Sequence, residues 1–137
     1  MKKAILILLT ILSVIIAAGC SKDDNDPSEA PVKERILGKW KFISVVTENT
    51  VLSEPTETTT EYGVEGDYFD FRSDGNIYYV LGGDTEEIAP YSIENETTLK
   101  IENDAFTIKE LTQHKLAFQF VKVNANYTRK QAYNLSK

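Results

Sequence analysis

The chain has very little of the chemistry on which enzymes and metal centres depend. Its 137 residues include one cysteine and one histidine. A lone cysteine excludes an intrachain disulfide, and the two residues cannot assemble a Cys/His metal site. A Ser-His-Asp or Cys-His arrangement would have a single base to use, His114, and Gln113-His114-Lys115 reads as a solvated turn. No phosphate-cradling glycine loop is present; Gly82-Gly83 fits a turn instead. Basic residues are outnumbered, 15 against 21 acidic, for a net charge of −6. With no basic stripe, a nucleic-acid partner is not expected. Carboxylates are plentiful, which leaves an acid/base pair open, but Asp67, Asp70 and Glu102 read as strand-end or outward residues. The expectation is a protein that is not an enzyme, with no catalytic residue, no cofactor and no metal.

Long apolar runs are scarce as well, and the one that exists is at the N-terminus. Met1-Lys2-Lys3 is a positive start, Ala4 to Ala18 is apolar apart from Thr10 and Ser13, and Ala17, Ala18 and Gly19 precede Cys20. This is the three-part plan of a secretory signal, and the run is short for a membrane span, which needs about 20 residues. Ile16-Ala17-Ala18-Gly19-Cys20 resembles a lipobox, the cleavage motif of bacterial lipoproteins. The resemblance implies removal of residues 1–19 and lipidation of Cys20, so that acyl chains tether the protein to a membrane. Without Lys2 and Lys3, 13 basic residues face 21 acidic, a net charge near −8. Residues 20–31 read as a flexible acidic tether. Within it, Ser21-Lys22-Asp23-Asp24-Asn25-Asp26 resembles the surface-export signal of Bacteroidota lipoproteins. The expected place is the outer membrane, on the cell surface, with its periplasmic face as the alternative.

Residues 32–137 have room for one domain of about a hundred residues. Pro31 can open a short helical turn with Val32, Ile36 and Leu37 on one side, ended by Gly38. No long amphipathic helix follows. Short runs with apolar residues at every second position follow instead. Lys39–Thr47 places Trp40, Phe42, Ser44 and Val46 on one face and Lys41, Ile43 and Val45 on the other. Further strands are expected at Tyr68–Phe71, Asn76–Leu81, Thr85–Ile93, Thr98–Glu102, Ala105–Leu111, Lys115–Val121 and Tyr127–Leu135. Arg72-Ser73-Asp74-Gly75 is expected to turn tightly, with Gly75 at positive φ. Pro90 has no N–H for a ladder and suggests an edge or a bulge. Thr47–Glu65 is the longest stretch without a pattern, read either as a lid or partner-binding loop, or as a solvated loop or ragged hairpin. About eight strands joined by short hairpins point to an all-β fold, a small antiparallel up-and-down barrel.

Gly38-Lys39-Trp40 at the first strand and Arg129 in the last resemble the Gly-x-Trp signature and partner arginine of the lipocalins. Phe69-Asp70-Phe71-Arg72-Ser73-Asp74-Gly75 resembles a strand-turn segment of lipocalin-like lipoproteins of Bacteroidota. The resemblance implies that Trp40 plugs the closed end of the barrel with the Arg129 guanidinium packed over its indole. Phe42, Phe69, Phe71, Tyr79, Phe106, Phe118 and Phe120 would line the core or a cavity. Two readings of function follow. In one, the barrel binds a small apolar or amphiphilic ligand at its open mouth. In the other, a solid barrel acts as an interaction, inhibitor or immunity-type module for an envelope protein.

Overall fold

The computed structural model describes residues 30–137. The expected signal, Cys20 and most of the tether lie outside the described residues. After a single helical turn, α1 (Val32–Arg35), the chain forms nine strands. These are β1 (Gly38–Val51), β2 (Glu57–Tyr62), β3 (Tyr68–Phe71), β4 (Asn76–Val80), β5 (Glu87–Asn95), β6 (Thr98–Ile101), β7 (Asp104–Leu111), β8 (Lys115–Asn124) and β9 (Tyr127–Ser136). Every pairing is antiparallel, and β3 to β9 follow one another in sequence order. The sheet closes because β9 also pairs with β1, from Lys41↔Ser136 to Val51↔Tyr127. The result is a closed eight-stranded up-and-down barrel with β2 as an extra strand. Closure leaves no edge on the ring itself, which is how such a sheet avoids exposing unpaired backbone.

Of the readings of Thr47–Glu65 the hairpin holds, since β1 runs on to Val51 and β2 returns along it from Asn49↔Glu57 to Ser44↔Tyr62. The ring keeps the eight expected strands, and β2 is added to them. Two details differ from the expectation. On β1 the inward set is Trp40 and Phe42, then Val45 and Thr47, with Val46 less buried than Val45. The cause is a bulge at Ile43: Phe42 faces Leu135 and Ser44 faces Asn134, so one extra residue on β1 shifts the alternation. Pro90 lies neither at an edge nor in a bulge. It forms the last rung of the β4 ladder, Asn76↔Pro90, where β5 passes from β4 to β6 and one ladder bond is dispensable.

One end of the barrel is stoppered. Val32 and Ile36 of the helical turn are buried against it, and the turn is tied down by Val32 N–H donating to Glu96 Oε2 at 3.2 Å and Arg35 donating to Leu111 O. Above them, Trp40, Phe71, Ile77, Leu99, Leu116 and Leu135 are almost fully buried, and Phe42, Phe69 and Phe118 form the next level. At about 25 cal/mol per Å² of apolar surface, this interior is the main source of stability in a chain that has no disulfide to constrain it. The wall is uneven: β1, β8 and β9 have 14, 10 and 10 residues, whereas β3, β4 and β6 have 4, 5 and 4.

Candidate functional site

The stopper contains Trp40 as expected, but its cation is different. The indole is fully buried and its Nε1–H donates to Ile36 O at 2.7 Å. The group over the ring is Lys137, whose Nζ lies 4.1 Å from the ring centroid and donates to Leu37 O at 2.9 Å. Burial lowers the Lys137 ammonium below its ordinary pKa. Arg129 is elsewhere. Its register partners are Asn49 and Lys122, far along β9 from the Leu135↔Phe42 rung that neighbours Trp40. The arginine expectation fails because it took the last strand's only arginine as the partner. Arg129 sits near the start of β9, whereas it is the end of β9 that lies beside Trp40, and the residue that reaches the indole is the one following that strand.

The other end is where aromatic side chains lose their cover. Strand alternation and ring contacts place Tyr79, Phe106, Phe120 and Tyr133 together above Phe69 and Phe118. Phe118 stacks on Tyr133 with centroids 5.1 Å apart, and Phe106 meets Phe118 edge-on at 5.5 Å and Phe120 at 5.4 Å. Phe69 stacks on Tyr79 at 5.6 Å. Such geometries contribute beyond simple burial. Phe42, Phe69, Phe71 and Phe118 are buried in the core, while Tyr79, Phe106 and Phe120 remain half-exposed. Side chains thus fill the lower barrel, and the aromatic surface left open is a shallow floor at the mouth.

Polar groups surround that floor. Tyr79 donates to Glu87 Oε2 at 2.6 Å, and this bond, with burial and the nearby carboxylates, pushes its pKa up to about 12. The Tyr133 phenol is raised mainly by burial; Glu61 and Asp104 push it the same way and Arg129 opposes them. Glu61 of β2, Arg129 of β9 and Asp104 of β7 therefore all act on one phenol at the mouth. A recess of about 170 Å³ opens beside Tyr79, lined by Tyr79, Leu81, Asp84, Thr85 and Glu87. A wider groove of about 510 Å³ lies outside the barrel, along Lys39, Lys41, Tyr68 and Lys137.

The rim is fixed by a residue the sequence reading passed over. Asp67, read as a strand-end residue, is buried, and its carboxylate accepts three backbone N–H bonds at 3.0 Å, from Val64, Gly82 and Gly83. Burial alone would raise its pKa; the three donors together outweigh that and hold it below the ordinary carboxylate value. Gly82 and Gly83 have φ of 68° and 73°, successive left-handed residues that turn both N–H groups toward one acceptor. Asp67 thereby joins the segment before β3 to the β4–β5 loop that walls the recess. Tyr133 and Lys137 were likewise absent from the expected site. Tyr133 was legible as an alternating strand residue, but nothing in the pattern singled out Lys137. His114 is exposed on the turn at the stoppered end, away from the mouth.

No family model matches the sequence, and no curated protein matches it significantly. Among solved structures the chain is similar to a deswapped triple mutant of bovine odorant binding protein, with 16% sequence identity and a TM-score of 0.46 over 75% of this chain and 74% of that one. The barrel itself is defined by the β1–β9 ladder and stands independently of that likeness.

Proposed function

We propose that this is a lipid-anchored outer-membrane binding protein, not an enzyme, whose barrel takes one end of a small amphiphile at its mouth. The observation that supports this reading is the half-exposed aromatic floor of Tyr79, Phe106, Phe120 and Tyr133. An apolar floor with a few fixed polar groups is the usual makeup of a small-molecule site. The recess of about 170 Å³ beside Tyr79 shares only that residue with the floor and is small beside such sites, so it holds a slender part of the ligand while the rest lies across the floor and along the rim. Arg129, Glu61 and Asp104 would then meet its polar part. The tether on Cys20 and the surface-facing placement belong to the same proposal; the first rests on the lipobox resemblance and the second on the resemblance of Ser21-Lys22-Asp23-Asp24-Asn25-Asp26 to a surface-export signal.

The test is native mass spectrometry of the full protein purified from cells that make it, followed by the Phe106→Ala and Phe120→Ala variants. A small molecule retained by the parent and lost from both variants is the expected result. A parent that carries nothing, or a molecule retained equally by all three proteins, would end the proposal.

A further inference from the structure

The ring of the barrel has no edge, but β2 does. Among the described residues β2 pairs with β1 and with no other strand, and all six of its residues are exposed. Gly63 N–H donates to Ile43 O at 2.9 Å. Counting by twos along an antiparallel ladder, Glu61, Thr59 and Glu57 direct their backbone groups at β1, and Tyr62, Thr60 and Thr58 direct theirs at the open edge. Below β2, the same edge of β1 is taken by β3, so the open edge stands on the tall wall beside the short strands β3 and β4. An unpaired strand of this length is a template for another strand.

The side chains determine which strand it accepts. Glu57, Thr59 and Glu61 lie opposite Asn49, Thr47 and Val45, so both carboxylates are on the mouth face of the sheet. No ion pair engages either one among the described residues. A second copy of β2 is disfavoured. Antiparallel pairing about Thr59 would set Glu57 against Glu61 twice, and like charges directly opposite destabilise a ladder. A cationic strand reverses that sign at both positions.

We infer that the free edge of β2 is a docking edge for an extended basic segment of another protein, carrying Lys or Arg four residues apart opposite Glu57 and Glu61. The added strand would bond to the backbone of Thr58, Thr60 and Tyr62. The free backbone edge is separate from the aromatic floor, although Glu61 also stands among the polar groups around the mouth.

The test uses the full chain in detergent and two fluorescein-labelled peptides, Val-Lys-Thr-Val-Thr-Lys-Val and the same peptide with both Lys replaced by Glu. The Lys peptide should bind at least about tenfold more tightly, since two opposite-charge cross-strand pairs replace two like-charge pairs. The amides of Thr58, Thr60 and Tyr62 should become protected from hydrogen exchange. The double variant Glu57→Lys/Glu61→Lys should reverse the preference, and Thr60→Pro, which removes an outward N–H and leaves the β1 ladder bonded, should abolish binding. Failure of the Lys peptide to bind, equal binding of both peptides, or binding without protection of those three amides would overturn the inference. So would protection of the same amides by self-association in the absence of peptide.

Discussion

Replacing Asp67 by Asn isolates the charge of one carboxylate from its size. In the wild type, Oδ2 accepts from Val64 and Gly82 and Oδ1 from Gly83. An amide oriented for the first two bonds must point its NH₂ at the Gly83 N–H, so one bond is lost and two are weakened. A hydrogen bond to a charged group contributes about 1.5–3 kcal/mol, which sets the Asn penalty at about 2 kcal/mol. Ala removes all three acceptor contacts and should lose about 4 kcal/mol. At roughly 4 °C per kcal/mol for a domain of this size, the expected Tm drops are about 8 and about 16 °C at neutral pH. The pH dependence supplies the sharper check. A carboxylate whose pKa is lowered by folding stabilises the fold above its unfolded value, about 3.9, and the contribution fades as pH falls through the folded value. The gap between wild type and Asp67→Asn should therefore close in acid. Thermal melts by circular dichroism from neutral to acidic pH measure both quantities. An Asn variant melting within about 2 °C of wild type at neutral pH, or a gap that does not change with pH, would refute the account of the rim.

At the stopper, Lys137→Ala should remove about 0.5–1 kcal/mol of cation–π stabilisation and change the fluorescence of Trp40, the chain's one tryptophan. Arg129→Ala should leave that emission unchanged; the reverse result would restore the arginine to the indole. Gly63→Ala should destabilise by about 1–3 kcal/mol in denaturant melts, because its Cβ would fall 2.2 Å from the Phe42 carbonyl oxygen beside the bulge. At the mouth, ultraviolet titration should find one tyrosine ionising near pH 12, and Glu87→Gln should return it toward 10. A raised phenol pKa stabilises the fold at lower pH and loses that contribution as pH rises through 12, so the Glu87 variant should show a smaller alkaline loss.

The barrel was legible because its signal repeats. Phe69 and Phe71, then Ile77 and Tyr79, alternate as a two-residue period requires, and the turn at Arg72–Gly75 carries Gly75 at φ 82° where positive φ was expected. What escaped were events of a single residue or of long range. The Ile43 bulge adds one residue and moves Val45 inward, and apolar alternation read from Trp40 onward has no means of registering it. β2 is Glu-Thr-Thr-Thr-Glu-Tyr, with no buried position to mark a face. Lys137 reaches Trp40 only because the last strand ends beside the first, a contact with no local trace. The aromatic residues were found, but their division into filled interior and open floor depends on which strands are short, and composition does not carry that.

The seam that closes the ring also constrains how the molecule comes into being. It joins the first strand to the last, with Lys41 against Ser136, so almost the entire chain must be available before the cylinder exists. Contacts this distant in sequence form slowly, on a scale of milliseconds to seconds. A nascent chain is an open ribbon with two adhesive borders, vulnerable to pairing with its neighbours until residues 127–136 arrive to complete the circle.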